Sequence, residues 1–130
     1  MQTLKCRGIM RRVIIESPYK GRGNWCFTRW IDRLLNVWYA KRCIKDSLER
    51  GESPIAFHLL HAQYGVLRDR VPKERQLGID AGMEWMKVAD ASVFYIDKGM
   101  TPGMLYGEHK ATEASVPTEY RRIGDSEWRG

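Results

Sequence analysis

A carboxylate, a hydroxyl, a phenol, two cations, an amide and two glycines fall within nine residues, Glu16-Ser17-Pro18-Tyr19-Lys20-Gly21-Arg22-Gly23-Asn24. Glycines let backbone N–H groups approach an anion closely, and a helix starting just beyond would add a favourable dipole. These are the ingredients of a phosphate cradle, with Ser17, Tyr19, Lys20 and Asn24 as candidate ligand contacts and Glu16 as a carboxylate beside them. The segment matches neither GxxxxGK followed by Ser or Thr nor GxGxxG, so it supports neither a Walker-type ATPase nor a standard dinucleotide site.

A second concentration lies at Asp97-Lys98-Gly99-Met100-Thr101-Pro102-Gly103-Met104-Leu105-Tyr106-Gly107-Glu108. Asp97 can accept hydrogen bonds from a base amide or a sugar hydroxyl, while Thr101 and the backbone amides at 103 and 104 can hold an anion. A turn aspartate and a helix N-cap account for the same residue types without any ligand. His58 ends a β-prone run and points toward the same mouth as a hydrogen-bonding residue, whereas His61 and His109 read as loop and helix surface. The histidines do not cluster as metal ligands, and Cys6, Cys26 and Cys43 form neither CxxC nor an even set. No metal site, cofactor or disulfide framework is expected.

The elements that must position these residues alternate regularly. Arg12 to Glu16 is a β-branched run stopped by Ser17-Pro18. From about Trp25 to Glu49, Ile31, Leu34, Leu35, Trp38, Tyr39 and Cys43 recur at helical steps ended by Arg50-Gly51, with a break expected near Asn36. Trp25, Trp30 and Trp38 share one broad flank of this helix, which favours core or subunit packing over base stacking and suits a dimer interface. Ile55 to His58 reads as a second strand and 59–71 as an irregular loop. Pro72 at a first turn, with Glu74, opens a helix to about Ala89. Ser92 to Ile96 is continuous and β-prone, as in a central strand covered on both faces. A helix from Thr101 to about Ala114 and an edge strand at 116–121, where Pro117 is tolerated, complete the series. Alternating strands and helices imply a parallel sheet, so the expected fold is a small doubly wound, Rossmann-like or flavodoxin-like α/β domain of four to five strands with helices on both faces. Ligands bind such folds beyond the carboxyl ends of the strands, which singles out loops 16–24, 58–66 and 97–107.

The 130 residues suit one domain. We divide them into a basic extension (1–11, with Met10 as an alternative start), the domain (12–123) and a frayed tail (124–130). No apolar run approaches a membrane span and no signal-peptide core follows the basic N-terminus, so a cytoplasmic protein without a membrane partner is expected. Residues 1–50 hold 12 Lys and Arg against 4 Asp and Glu, and residues 51–130 hold 10 against 12, so the net charge of +6 is concentrated in the first half. That half is compatible with nucleic acid, although no nucleic-acid motif accompanies it.

VIIESPYKG at 13–21, YAKRCIKDSLERGESPIAFHLLHAQYGVL at 39–67, PKERQLGIDAGMEW at 72–85, ADASVFYIDKGMTPGMLYG at 89–107 and PTEYR at 117–121 carry a resemblance. Over residues 12–123 the chain resembles small bacteriophage and bacterial proteins related to nucleoside 2-deoxyribosyltransferases and 2′-deoxynucleoside 5′-phosphate N-hydrolases. The resemblance implies a nucleoside or nucleotide ligand, N-glycosidic bond cleavage or transfer by a nucleophilic carboxylate, and a homodimer or larger homo-oligomer. It implies base contact for Asp97 and phosphate contact for Thr101, and it matches Ser17 to a serine of the first-strand loop, which we assign to phosphate with Lys20. The nucleophilic glutamate of those enzymes follows an aromatic, and here Tyr106 is followed by Gly107. A second carboxylate position falls on Gly82, and a first-strand tyrosine falls on Val13. Glu108 is rotated about 100° around the helix from the required direction, so Glu16 is the better substitute, with Glu108 as the other catalytic candidate. His58, Gly103 and Tyr106 complete the expected pocket. A non-catalytic nucleotide-binding protein that has lost the carboxylates is the alternative, and a basic nucleic-acid-binding module is the third reading.

Overall fold

The computed structural model describes residues 10–19, 26–61, 65–68 and 70–123, with only the backbone of Cys26 and Phe27. Its elements are β1 (Arg12–Glu16), α1 (Cys26–Glu49), β2 (Ser53–Ile55), α2 (Phe57–Leu60), α3 (Pro72–Met86), β3 (Ala91–Tyr95), α4 (Pro102–Glu113) and β4 (Thr118–Arg121). The four strands form one all-parallel sheet in the order β2-β1-β3-β4. The α/β class with a small Rossmann-like arrangement is therefore as expected. The order reverses between β1 and β3, which pair Val13 with Ala91 through Glu16 with Phe94, so Glu16 ends β1 at the switch point where such sheets form their crevice.

Period-two alternation along β1 divides the core. Val13 and Ile15 pack with Val93, Tyr95, Tyr39 and Cys43 under α1, while Ile14 packs with Met86, Ala111 and Val116 under α3 and α4. β3 is buried at every position, as a strand covered on both faces requires. Thr101 caps α4 by accepting from the Met104 N–H at 3.2 Å, Pro102 and Pro72 occupy first-turn positions, and Gly51 ends α1 at φ +87°.

Three expectations are corrected. The helix expected to break near Asn36 runs unbroken, because Asn36 faces inward and its Nδ2 donates to the Tyr19 carbonyl at 3.3 Å. The second strand stops at Ile55, and Phe57 and His58 belong to the short helix α2. The apolar positions of α1 do not all face the core. Tyr39 and Cys43 do, beside Asn36, Asp46 and Ser47, but Ile31, Leu34, Leu35, Trp30 and Trp38 are exposed. Core packing is thereby removed as the account of Trp30 and Trp38, and Trp25 lies outside the described residues.

The polar residues buried beneath α1 form a closed network. Arg121 makes two hydrogen bonds with Glu52, at 2.8 and 2.6 Å, and a third with the Tyr95 hydroxyl at 3.3 Å. Glu52 also accepts from Ser47 Oγ at 2.7 Å and from Arg11 at 3.0 Å, and the Tyr95 hydroxyl donates to Asp46 at 2.6 Å. Burial pushes the Glu52 carboxyl up, but the hydrogen bonds from Arg121 and Ser47 hold it below its ordinary value.

Candidate functional site

A cavity of about 230 Å³ opens at the carboxyl end of β1, between the sheet and helices α2, α3 and α4. Ile14 and Glu16 supply it from the strand, with Tyr19 just beyond. Phe57, His58 and His61 enter from α2 and the residue after it. Arg75, Gly78, Ile79, Gly82, Met83 and Met86 come from one face of α3, and Gly103, Tyr106, Gly107 and Lys110 from one face of α4. Most of this wall is apolar, with a few convergent polar groups, as in small-molecule sites generally.

The α3 contribution follows from spacing. Residues 75, 78, 79, 82, 83 and 86 recur at three and four, and two of them are glycines, which let Leu67 and Phe57 approach the helix backbone closely. A Cβ on Gly82 would stand 3.4 Å from the Phe57 ring, in ordinary contact. The aromatic thus lies directly on the bare helix backbone, and no carboxylate occupies that position.

Glu16 is the central group. Gly107 turns its α-carbon toward the Glu16 carboxyl so closely that a Cβ there would lie 2.8 Å from Oε2, 3.0 Å from Cδ and 3.2 Å from Oε1. The carboxyl therefore occupies the space that a side chain at 107 would enter, arriving from the strand instead of from the helix. Glu16 is half-buried and lines the cavity, and burial pushes its carboxyl up to about 8.

His58 stands beside it. Its Nε2 and Ser17 Oγ are 3.1 Å apart, and Tyr19 packs edge-on against the imidazole with ring centroids 5.4 Å apart. Burial lowers the imidazole to about 4, so it is neutral at physiological pH. Tyr19 is held in turn by Arg33, which donates to its hydroxyl at 2.9 Å.

Glu16 and His58 make the stability of the fold depend on pH in opposite directions. A folded carboxyl at about 8, against 4.5 for an ordinary glutamate, holds a proton that the unfolded chain has released. Stability therefore falls between pH 4.5 and 8, by up to about 1.4 kcal/mol per pH unit. A folded imidazole at about 4, against 6.5, refuses a proton that the unfolded chain binds, so its contribution rises across that window. The two oppose each other up to pH 6.5, above which Glu16 acts alone. The difference in unfolding free energy between the wild-type chain and Glu16→Gln, measured by denaturant titration from pH 5 to 9, is expected to shift in favour of the variant as pH rises and to level off above about 8. A difference independent of pH would contradict the buried, protonated carboxyl.

The structure brings Glu16, Tyr19, His58, Gly103 and Tyr106 to the cavity, with Ser17 behind His58. Other expected site residues go elsewhere. Asp97 accepts from the Tyr39 hydroxyl at 2.5 Å and from the Ile123 N–H at 3.1 Å, so it ties β3 to α1 and to the segment after β4 instead of lining the cavity. Thr101 spends its oxygen on the Met104 cap. Glu108 accepts from the Tyr120 hydroxyl, which directs it toward β4, and it is not among the residues that line the cavity. Lys20 and Asn24 lie outside the described residues. His61, expected on a loop surface, instead lines the cavity and stacks on Phe57 at 5.5 Å, with its Nδ1 buried and without a hydrogen-bond partner. His109 is on the helix surface, paired with Glu113.

Sequence reasoning missed Arg75, Gly78, Phe57 and Lys110. The signal for the α3 residues was available in the glycines at i and i+4 on its inward face, since small residues repeated there mark a close approach of neighbouring groups to the helix. Lys110 stands over the Tyr106 ring at 5.5 Å and pairs with Glu113 at 3.3 Å. Among the described residues no group of three His, Cys, Asp or Glu could hold a metal ion, and no helix among them is long and apolar enough to cross a membrane.

The model of a protein family described as "Domain of unknown function (DUF7768)" matches residues 11–121. The chain belongs to this family. The matched segment runs from Arg11 to Arg121, the two arginines that meet on Glu52, and it contains every cavity residue. No curated protein matches the chain.

Proposed function

We propose that the chain binds a nucleoside, a nucleotide or a related ribosyl compound in this cavity and cleaves or transfers its N-glycosidic bond, with Glu16 as the reacting carboxylate. The observation that carries the proposal is the Glu16 carboxyl standing in the space above Gly107. Enzymes of the resembled group send a glutamate from the position that Gly107 matches, and the Glu16 carboxyl beside Gly107 supports a carboxylate supplied from the strand instead. The ionised carboxylate would attack the anomeric carbon as the bond to the base breaks and its electron pair leaves with the base. Water or a second base would then release the sugar from the carboxylate ester. A carboxyl at about 8 is mostly protonated at neutral pH, so turnover by this route is expected to rise with pH and to level off near 8.

Purified protein incubated with nucleosides, deoxynucleoside monophosphates and NAD, with free base followed by chromatography and thermal shifts recorded in parallel, tests this. Base release is expected from at least one compound, with a loss of about 1,000-fold or more in Glu16→Gln and binding retained. Full activity in that variant would remove Glu16 from the mechanism.

A second reading is favoured by a specific observation. Gly82 contributes no carboxylate, and the other acid at the cavity, Glu74, is held by Arg68 at 2.6 Å. Glu16 then serves as a neutral donor to an acceptor on a ligand that is bound and not turned over. A ligand-specific thermal shift without product would establish it, and polymer binding that falls steeply with salt would favour a nucleic-acid module instead. The compartment we propose is the cytoplasm, where nucleotides are held, and the proposed working unit is a homodimer or larger homo-oligomer.

A further inference from the structure

Arg33, Asn36 and Tyr39 follow one another at three-residue spacing along α1, so they form a single row on the helix, and all three reach the loops beyond β1 and β3. Asn36, the middle one, is 8 % exposed. Its Nδ2 donates to the Tyr19 carbonyl at 3.3 Å, and its Oδ1 accepts from Lys98 Nζ at 3.4 Å. One side-chain amide therefore spans the two loops that flank the switch point, where the crevice of such a sheet lies. Its neighbours in the row fasten one loop each. The Arg33 guanidinium donates to the Tyr19 hydroxyl at 2.9 Å and stands 5.2 Å from the centre of its ring, and the Tyr39 hydroxyl donates to Asp97 at 2.5 Å. Packing alone asks for an apolar residue at a buried helix position. A buried amide is costly unless its donor and acceptor are met, and here a loop group beyond each of the two central strands meets it.

We infer that Asn36 is a positioning residue of the cavity, which together with Arg33 fixes Tyr19 edge-on against His58 and so keeps the imidazole covered. Tyr19 lines the cavity and Asn36 does not, so Asn36 acts through the tyrosine, whose ring centroid is 5.4 Å from that of His58. Covered in this way the imidazole stays neutral, and burial lowers it to about 4. Of its neighbours on β1 and just beyond, Ser17 bears no charge and Glu16 keeps its proton up to about 8. Glu74, Arg75 and Lys110 line the same cavity from α3 and α4 and are common to every variant compared below, so the access of water decides the state of His58. This role presupposes the cavity as the ligand site, whereas the imidazole readout needs no ligand, so the two can fail separately.

NMR of the imidazole Cε1–H signals of the full chain at pH 5.5 tests this, with the His58 signal assigned from its loss in His58→Asn. In the wild-type chain His58 is expected to be only about 3 % protonated. Asn36→Leu removes one hold on Tyr19 and lets water reach the ring, so at least about a quarter is expected to be protonated, a rise of about one pH unit in the midpoint. Tyr19→Ala is expected to give at least the same rise, and Asn36→Leu added to it no further one, because the amide acts through the tyrosine. Tyr39→Phe, which removes a hydroxyl from the same row and leaves Tyr19 held, is expected to keep His58 as neutral as in the wild type. Circular dichroism and Tm of each variant check the fold, and Asn36→Ala takes the place of Asn36→Leu where the branched side chain is not accommodated. A folded Asn36→Leu or Asn36→Ala chain whose His58 is as neutral as in the wild type overturns the assignment, as does a further rise in the double variant or an equal rise in Tyr39→Phe.

Discussion

Gly107→Ala is expected to reduce base release by at least about 100-fold, or ligand affinity to a similar degree if no turnover occurs, while changing stability by no more than about 1 kcal/mol. The two expectations come from the same contact. Glycine inside a helix costs about 0.5–1 kcal/mol relative to alanine, and Gly107 lies in the interior of α4, so the substitution gains on that account. The added methyl would stand 2.8 Å from Glu16 Oε2, but that atom is the end of a flexible side chain, and turning it aside costs the fold little. What moves is the carboxyl on which the site depends. A folded, thermally normal variant with a lost or displaced carboxyl separates function from stability more cleanly than Glu16→Gln, because Glu16 itself remains present. Parallel measurement of kcat/KM, ligand thermal shift and Tm checks it, and an unaltered site in a folded Gly107→Ala chain would show that the position of the carboxyl above the helix has no role.

Arg121→Met is expected to cost about 3–5 kcal/mol and to lower Tm by on the order of 10 °C. The side-chain relative accessibilities of Arg121 and Glu52 are 8 % and 11 %, and two hydrogen bonds join them. Removing the guanidinium leaves a buried carboxylate whose remaining partners are Ser47 and the more exposed Arg11. The penalty lies in that uncompensated charge, so Glu52→Gln added to Arg121→Met is expected to recover part of the loss. Equal stability of the single variant and the wild-type chain in urea would show that the network contributes nothing net.

The legible parts of the fold were those whose local pattern agrees with their tertiary role. β1 and β3 are β-branched runs bounded by turn residues, and α3 and α4 begin at prolines, so all four were readable. Glu16 was legible as a site residue because a carboxylate at the end of a first strand has one place to go in a parallel sheet. Other features depend on partners far away in sequence. Asp97 looks like a ligand-binding acid until Tyr39, 58 residues earlier, is brought beside it. Glu108 looks free until Tyr120 folds back onto it. The orientation of α1 was hidden for a different reason. Its buried face carries Asn36, Asp46 and Ser47 and its outer face carries Trp30, Leu34 and Trp38, so the periodic stripe identified a helix but not the side that meets the sheet.

The network around Glu52 also orders events in time. Its members come from before β1, from the end of α1, from β3 and from β4, and the bond between Arg11 and Glu119 spans 108 residues. β1 meets β2 about 40 residues later and β3 about 80 residues later, so it has both neighbours only once most of the chain is present. Closure of such distant pairings precedes any gain from them, which makes a parallel sheet slow to assemble. During synthesis from the N-terminus, Glu52 is laid down long before Arg121 leaves the ribosome, and until then it lacks the partner that makes its burial tolerable. The last strand therefore acts as a latch. Its arrival adds the fourth strand beside β3 and brings the Arg121 guanidinium onto Glu52.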